Sequence, residues 1–235
     1  FWIQSPGHGE IRQAALGELR DGEVLVKARY SGISRGTEAL VFGGHVPVSQ
    51  YDDMRAPFQE GEFPGPVKYG YSSVGEVVAG PAEWQGRTVF CLFPHQDRYR
   101  VPLSAVALVP SDVPAGRAVL AANMETAVNV AWDARPAVGD RIVVVGGGVV
   151  GLLVAWLCQQ MAGVELTVVD PNSTRIAVAD ALGVRCVTEP PGDTEADVVI
   201  HASGRPEGLV AALSLAGTEA TIVEASWYGA REVPL

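Results

Sequence analysis

Cysteine is scarce in this 235-residue sequence, and the scarcity excludes a disulfide-stabilised domain. The three cysteines, Cys91, Cys158 and Cys186, are odd in number and widely spaced, and no two of them form a CxxC pair. A chain without a disulfide framework is typical of a reducing compartment, so we expect a cytoplasmic location.

Positive charge is also in short supply, which argues against two kinds of partner. Seventeen Lys and Arg residues stand against 27 Asp and Glu residues, and the net charge is −10. Such a surface would repel a nucleic-acid backbone and an anionic membrane alike. We therefore expect neither nucleic acid nor a membrane as a partner.

The sequence lacks an uninterrupted apolar run of the length of a membrane span. Its most apolar stretch, IVVVGGGVVGLLVAWLC at residues 142–158, approaches that length. Three consecutive glycines divide this stretch into a β-branched part and a helix-favouring part. The order predicts a buried strand, a tight turn and a buried helix.

The two halves of the chain follow different patterns. Over the first ~115 residues, short apolar runs separated by turn residues predict a β-rich unit. Beyond Pro114, strands alternate with helices, a pattern that predicts a parallel, doubly wound sheet. The predicted strands of the first half are 23–32, 72–80, 87–93 and 105–110. The second half is predicted to hold a helical stretch at 115–134, strands at 141–145, 165–170, 197–202 and 220–225, and helices at 149–161, 173–182 and 206–215.

A glycine motif follows the first strand of the second half. Gly146, Gly148 and Gly151 match G-x-G-x-x-G between a buried strand and a helix, as a dinucleotide site requires. Asp170 ends the next strand, ~20 residues on, where a carboxylate can accept hydrogen bonds from an adenosine ribose. The alternative is a glycine-rich turn in an ordinary α/β domain. Because strand, turn, helix and acid are in register, we favour the dinucleotide site.

Asp170 also bears on which dinucleotide is bound. Its negative charge would repel a 2′-phosphate, which favours NAD over NADP. Arg175 lies close in sequence and could accommodate that phosphate, or it could help to hold the ribose. We expect Asp170 to dominate and NAD to be the cofactor.

Three segments follow one another in the chain: YSGISRGTE at 30–38, YGYSSVGEVV at 69–78 and NMETAVNV at 123–130. They resemble, in this order, the G-I-C-G-T-D loop, the G-H-E-x-x-G segment and the hinge helix of the medium-chain dehydrogenase/reductase superfamily, of the zinc alcohol dehydrogenase type. GISRGTE, FPHQDRY, NMETA and EASWYG are most similar to the bacteriochlorophyllide dehydrogenase branch, whose members oxidise a hydroxyethyl side chain of a chlorin to acetyl. The resemblance implies an α/β fold: a GroES-like catalytic domain over residues 1–118 and an NAD-binding Rossmann domain over residues 119–235.

The resemblance also assigns the cofactor site and the end of the chain. Family members usually continue with a further strand and a segment that returns to the first domain, so we expect the C-terminal part to be incomplete or disordered. Without that further strand, the parallel sheet would end in an unprotected edge. Relatives often dimerise along this sheet edge, so a homodimer is possible. The expected cofactor-binding residues are Gly146, Gly148, Val149, Val150, Gly151, Asp170, Arg175, Thr126, Ala202 and Ser203.

The residues that hold a catalytic zinc in the family are missing. Such a site needs three protein ligands, typically two thiolates and an imidazole. Carried over by motif, the first cysteine falls at Ser34 or Arg35, the histidine at Tyr71 and the second cysteine at Ala122. We therefore expect no zinc, although Cys91, His95 and His45 form an alternative set of scattered ligands.

Without a metal, hydrogen-bond donors must stabilise the reacting oxygen. Our hypothesis is that Thr37 and Tyr71 bind that oxygen and that His95 handles the proton, since histidine is the residue type that titrates near neutral pH. Glu38 either orients its neighbours or pairs with Arg35. Two plainer interpretations stay open: Tyr71 only fills the vacated metal volume, and His95 lies at the surface.

The sequence leaves three functions and one further residue open. We favour a zinc-independent, NAD(P)-dependent oxidoreductase that transfers hydride between the cofactor and an alcohol or carbonyl of a small-molecule substrate. The alternatives are an enoyl or quinone reductase and a non-catalytic dinucleotide-binding protein.

The long segment 45–70 is either a lid that shapes a pocket for a bulky substrate or a solvated loop. His201 either flanks the cofactor or is structural.

Overall fold

The computed structural model describes residues 1–192, 194–227 and 232–233. It divides the chain into two compact units, Phe1–Ala122 and Asn123–Leu235. The roles assigned from the sequence to residues 1–118 and 119–235 stay predictions.

The first unit is built from two antiparallel sheets. The larger sheet has the strand order β8-β3-β6-β7-β9 and the smaller one the order β2-β1-β5-β4. Three α-helices complete the unit or lead out of it: α1 (Thr37–Phe42), α2 (Ala115–Ala118) and α3 (Ala121–Ala134). The strands are β1 (Trp2–Ser5), β2 (His8–Glu10), β3 (Glu23–Ser31), β4 (Glu60–Gly61), β5 (Val67–Lys68), β6 (Ser73–Ala79), β7 (Thr88–Cys91), β8 (Arg98–Pro102) and β9 (Val106–Leu108).

Alternation along the strands produces the core of the larger sheet. Val24 and Val26 on β3 are fully buried, and they pack with Val89 and Cys91 on β7 and with Tyr99 on β8. Successive residues of a strand point to opposite faces, so one apolar face of the sheet closes this core. The four predicted strands of the first half correspond to β3, β6, β7 and β9.

The segment between the two family-like motifs is packed against the smaller sheet. Val46, Met54 and Phe63 are each at most 7% exposed and belong to the same apolar cluster as Tyr69. The tyrosine hydroxyl of Tyr69 donates a hydrogen bond to the carbonyl of Met54 at 2.8 Å. The solvated-loop interpretation of residues 45–70 is therefore wrong for much of this segment, because its apolar side chains form a core.

The described residues of the second unit form a parallel sheet of five strands in the order β12-β11-β10-β13-β14. One apolar cluster on the sheet contains Val144, Leu152 and Ile200, and a second contains Val143, Val199 and Leu215. Both clusters draw on the central strands, as expected when helices cover both faces of a parallel sheet. The elements are β10 (Arg141–Val145), α4 (Val149–Cys158), β11 (Glu165–Val169), α5 (Thr174–Ala181), β12 (Cys186–Val187), β13 (Ala196–His201), α6 (Pro206–Leu215) and β14 (Ala216–Glu224).

The predicted fold class, a β-rich unit followed by a doubly wound parallel sheet, is confirmed. The sequence pattern missed one helix, α1, and several short strands, because each is short or lacks a clear apolar period. The missed strands are β1, β2, β4, β5, β8 and β12. It also predicted one helical stretch over 115–134, whereas the structure has two separate helices there, α2 and α3. Tyr228 and Gly229, which end the family-like segment EASWYG, lie outside the described residues.

Candidate functional site

Glu38, His95 and Ser31 form a hydrogen-bonded array in the first unit. His95 Nε2 lies 2.5 Å from Glu38 Oε2, and His95 Nδ1 lies in hydrogen-bonding contact with Ser31 Oγ. The side chains of His95 and Glu38 are only 15% and 10% exposed. His95 therefore does not lie open at the surface, and its contact with Glu38 is of the kind that a proton-handling imidazole uses.

Two local features hold the acid and the imidazole in place. Glu38 lies in the first turn of α1, and its Oε1 accepts a hydrogen bond from the backbone N–H of Ser34 at 2.8 Å. Gly70 has a φ of +129°, and a Cβ there would lie 2.9 Å from the imidazole atoms Cδ2 and Nε2 of His95. The left-handed backbone and the close approach both require glycine at this position.

The carboxylate determines which nitrogen of His95 carries the proton. A carboxylate only accepts hydrogen bonds, so Nε2 donates to Glu38 when the ring is neutral. Nδ1 is then the basic nitrogen, and it accepts a hydrogen bond from the Ser31 hydroxyl. Ser31 ends β3 and is exposed, so it connects the buried imidazole with the outside of the array. Ser31 was not among the predicted site residues, because nothing in its local pattern points to His95, 64 residues away.

Thr37 and Tyr71 lie in the same unit but outside this array. Among the described residues, side-chain hydrogen bonds join Glu38 to His95, whereas neither Thr37 nor Tyr71 takes part in this array. Thr37 is the first residue of α1, directly before Glu38. The half-buried Tyr71 ring stands edge-on to Tyr69, with 6.1 Å between ring centroids and 89° between planes. Their proposed contact with a substrate oxygen stays a prediction.

The residues at the zinc-ligand positions do not fit a thiolate–imidazole site. Ser72, at the position of a family glutamate, donates from its hydroxyl to the Val119 carbonyl at 2.5 Å. Cys91 is 1% exposed, and burial raises the pKa of its thiol to about 12, which disfavours the thiolate that a metal needs. Across the part of the chain that the structure describes, no group of three His, Cys, Asp or Glu residues could hold a metal. A zinc-free site stays a prediction.

The glycine turn of the second unit has the shape that a dinucleotide needs. Gly151 packs so closely that a Cβ there would collide with the carbonyl oxygen of Gly146, whereas a Cβ at Gly148 would meet nothing within 4 Å. The backbone at Gly148, at the start of α4, is therefore open to close approach by a diphosphate. These residues fit the adenine dinucleotide that the motif predicts.

Asp170 is fixed against this turn by backbone hydrogen bonds. Its Oδ2 accepts from the N–H of Gly147 at 2.7 Å, and its Oδ1 accepts from the N–H of Asn172 at 2.8 Å. A Cβ at Gly147 would lie 3.2 Å from the Cβ atoms of both Asp170 and Arg175. The structure therefore brings together the glycine turn, the acid and the arginine that the sequence assigned to the adenosine ribose.

The other predicted cofactor residues lie on three elements of the second unit. Val149 is exposed and Val150 half-buried in the first turn of α4. Thr126 is exposed on α3. Ala202 and Ser203 follow β13, where the N–H of Ala202 donates to the Val145 carbonyl at 2.8 Å.

A second histidine array follows β13. His201 is 0% exposed, its Nδ1 lies 2.7 Å from Glu224 Oε2 and its Nε2 lies 2.6 Å from Ser203 Oγ. Glu224 was not among the predicted site residues. Strand alternation could have found the pair, because β13 and β14 are neighbours and His201 is in register with Glu224.

Comparison with known proteins identifies relatives at modest identity. No protein-family model matches the chain. The chain is similar to a 2-dehydro-3-deoxy-L-galactonate 5-dehydrogenase from Pseudoalteromonas atlantica, with 26% identity over 86% of this chain and 68% of that protein. The match to an L-threonine 3-dehydrogenase from Rhizobium rhizogenes, at 28% identity, covers half of this chain and only a third of that enzyme.

Two solved structures share the fold over nearly the whole chain. Alcohol dehydrogenase TADH from Thermus sp. ATN1 superposes with a TM-score of 0.76 at 20% identity. The superposition covers 100% of this chain and 79% of the TADH chain. The quinone oxidoreductase from Thermus thermophilus, solved also with NADPH, gives a TM-score of 0.71 at 19% identity, over 94% of this chain and 71% of its own.

Taken with the glycine turn and the antiparallel unit before it, these likenesses agree with the resemblance that the sequence motifs carry. The chain is similar in sequence to curated dehydrogenases, and it is similar in fold to an alcohol dehydrogenase and a quinone oxidoreductase. The resemblance to the bacteriochlorophyllide dehydrogenase branch stays a prediction. In the described part of the chain, no helix has the length and hydropathy of a membrane span.

Proposed function

We propose that this protein is a nicotinamide-dependent oxidoreductase that interconverts an alcohol and a carbonyl without a catalytic zinc. The observation that carries the proposal is the Ser31–His95–Glu38 array, which supplies a proton-handling group where the family's metal ligands are absent. The named relatives are dehydrogenases, and a dehydrogenase needs a route for the proton that leaves or joins the substrate oxygen.

The second unit supplies the residues that would hold the cofactor. Gly148 and the first turn of α4 would bind the diphosphate, and Asp170 would accept hydrogen bonds from the adenosine ribose. When bound, the nicotinamide would supply or accept the hydride. Because the negative charge of the Asp170 carboxylate would repel a 2′-phosphate, we propose NAD in preference to NADP.

The array in the first unit would move the proton. The Ser31 hydroxyl donates to Nδ1 of His95, so a proton released at the substrate oxygen passes to His95 through Ser31 during oxidation and returns by the same route during reduction. Glu38 accepts from Nε2 and stabilises the imidazolium while the ring carries the extra proton. Burial strengthens this pairing, since the two side chains are largely shielded from water.

Tyr71 and Thr37 would bind the reacting oxygen in place of a metal. Their hydroxyls are the donors at the family's substrate-facing positions, and loss of one such donor typically costs ~10²–10³ in rate. Tyr69 is the neighbour that sets the angle of the Tyr71 ring. Burial raises the pKa of Tyr69, and the nearby Tyr71 and Glu38 raise it further, so Tyr69 remains a protonated donor to Met54 and a fixed support.

The decisive experiment combines a metal assay with an activity screen. Protein purified without added metal is analysed for zinc and then assayed by NADH absorbance against alcohols, aldehydes, enones and quinones. We expect less than stoichiometric zinc and NAD-linked turnover of an alcohol or carbonyl. Stoichiometric zinc, or activity that depends on added zinc, would show that the zinc-free mechanism is wrong.

Enoyl or quinone reduction is the second candidate function. It is supported by the lack of a thiolate–imidazole set among the described residues and by the likeness in fold to a quinone oxidoreductase. Turnover of enones or quinones in the same screen, with no turnover of alcohols, would favour it. NADH binding without turnover of any compound would favour the non-catalytic alternative.

The substrate class and the location follow from the same proposal. Tyr51, Phe63, Tyr69 and Tyr71 form a chain of ring contacts in the packed 45–70 segment and next to it, and this aromatic support would suit a bulky substrate. A small-molecule substrate, a cytoplasmic location and a homodimer stay predictions. Size-exclusion chromatography with light scattering tests the homodimer.

A further inference from the structure

The buried histidine of the second unit is held at both ring nitrogens. Glu224 on β14 contacts Nδ1 at 2.7 Å and Ser203 contacts Nε2 at 2.6 Å. His201 itself is 0% exposed, whereas the Glu224 side chain is 35% exposed. A fully buried imidazole with two partners cannot reach a substrate, so it cannot act as a general acid or base on one.

The carboxylate fixes the tautomer of His201. Glu224 accepts a hydrogen bond from Nδ1–H, so Nε2 of the neutral ring accepts one from the Ser203 hydroxyl. Ser203 Oγ in turn accepts from the N–H of Arg205 at 3.2 Å. His201 therefore determines where the hydroxyl proton of Ser203 points.

The Ser203 segment lies directly against the dinucleotide turn. Gly146 has a φ of +113°, and a Cβ there would lie 2.7 Å from both N and Cα of Ser203. On the other side, Gly208 in α6 leaves room for the pair, since a Cβ there would collide with Ser203 Oγ and lie 2.6 Å from Nε2 of His201. The two glycines thus hold Ser203 between the turn and the helix.

Further hydrogen bonds tie the two strand ends together. Glu224 Oε1 accepts from the N–H of Ser226 at 2.7 Å, and Ser226 Oγ accepts from the N–H of Gly204 at 3.1 Å. The segments that follow β13 and β14 are thereby joined at the carboxyl edge of the parallel sheet. This is the edge where ligands bind in open α/β sheets.

We propose that His201 is a positioning residue for the dinucleotide. Clamped by Glu224, it fixes the Ser203 hydroxyl and holds residues 202–204 against Gly146, so that the cofactor meets a preformed wall. The proposal rests on the dinucleotide binding proposed above. A merely structural histidine would affect stability without a specific effect on cofactor affinity.

The test is an NADH titration of the full chain by fluorescence, with thermal melting of each variant beside it. Glu224→Gln keeps the volume of the side chain and an acceptor for Ser226, but its amide N–H₂ can donate to Nδ1 of His201. The ring then adopts the Nε2–H tautomer, and the Ser203 hydroxyl becomes the acceptor of that N–H. Gly208→Ala pushes a methyl group into the pair. We expect each variant to bind NADH about fivefold more weakly, the effect of one ordinary hydrogen bond. His8→Gln, at an exposed histidine, and Gly192→Ala, where a Cβ would meet nothing within 4 Å, are the matched controls and should bind like the parent protein.

The ¹⁵N chemical shifts of the His201 ring report the tautomer independently of cofactor. The Nδ1–H form in the parent protein supports the proposal, and the Nε2–H form overturns it. Unchanged NADH affinity in Gly208→Ala, or in a Glu224→Gln protein whose tautomer has switched, also overturns it. If the parent protein binds no NADH, the proposed function fails instead, and the ring shifts still decide the geometry.

Discussion

His95 Nε2 lies 2.5 Å from Glu38 Oε2, although 57 residues separate them in the chain. This contact assigns the basic nitrogen of the ring to the side of Ser31. The Glu38 carboxylate thus leaves Nδ1, on the side of Ser31, as the ring nitrogen that accepts and returns a proton.

The array predicts that Ser31, to which the sequence assigned no role, is as important as His95. Ser31→Ala and His95→Ala should each lower kcat by about tenfold or more, because both interrupt the same proton route. Steady-state kinetics on the substrate found in the screen measures the effect. NADH affinity should not change, and an exposed serine on α6, Ser214→Ala, serves as the control. Full activity in Ser31→Ala would mean that His95 exchanges its proton by another route.

Glu38→Gln separates orientation from charge. Glutamine keeps the size of the side chain and a hydrogen-bonding oxygen for Ser34, but it no longer stabilises an imidazolium. We expect kcat to fall by about tenfold and the folded structure to persist, because the loss is felt mainly when His95 is charged. Circular dichroism and kcat measured together check this. Loss of folding with the loss of activity would instead make Glu38 a structural residue.

Tyr71→Phe removes a hydroxyl and leaves the ring contact with Tyr69 in place. If the hydroxyl binds the reacting oxygen, kcat should fall by ~10²-fold while NADH affinity holds. The matched control is Tyr30→Phe, at an exposed tyrosine on β3. A variant with unchanged kcat would show that Tyr71 only fills the volume of the absent metal site.

Asp170→Asn tests the cofactor preference. The parent carboxylate accepts from Gly147 and Asn172, and an asparagine oxygen can replace only part of this arrangement. We expect NADH binding to weaken by about tenfold and the preference over NADPH to shrink, because a charge-assisted partner is lost and the repulsion of a 2′-phosphate is removed. Fluorescence titration with both cofactors measures this, with Asp180→Asn on the exposed side of α5 as the control. Tighter binding of NADPH than of NADH by the parent protein would contradict the NAD assignment.

The three thiols should be unreactive in the folded protein. Burial raises the pKa of Cys91 to about 12, and burial also raises the pKa of Cys158 and of Cys186, the latter with a further contribution from Asp170 and Asp180. A thiol reagent at about pH 8 should therefore label them quickly only after unfolding, since the thiolate is the reactive form. Rapid labelling of the folded protein would contradict the burial.

The same shift gives an alkaline dependence of stability with a defined sign. The folded state holds the Cys91 proton up to a pKa of about 12, whereas the unfolded thiol, with its ordinary pKa of 9.0, loses the proton sooner. The contribution of the Cys91 thiol to the free energy of unfolding is fully present below the pKa of the unfolded state. It is lost as the pH rises from there through the pKa of the folded state. Urea unfolding should show this fall, and it should be smaller in Cys91→Ala.

The sequence by itself determined the order of the longer elements and the position of the glycine turn. Three local patterns carried these predictions: the strand periodicity, the helix-favouring run after three glycines, and the acid at the end of the next strand. Local patterns of this kind can be recognised in a sequence without knowledge of the fold. Gly146, Gly151 and Asp170 could be assigned because the spacing within one strand–turn–helix unit constrains them.

The tertiary structure alone decided which polar side chains meet. Ser31, Glu38 and His95 come from β3, α1 and the segment after β7, and His201 meets Glu224 only because β13 and β14 pair in parallel register. Such contacts depend on strand pairing and chain reversal at long range, which no local period encodes. A histidine beside a proline and a histidine at a strand end look equally ordinary in the sequence. The carboxylates that contact them, Glu38 at His95 and Glu224 at His201, distinguish the two histidines. A carboxylate that accepts a hydrogen bond from one ring nitrogen makes the other nitrogen of the neutral ring the proton acceptor.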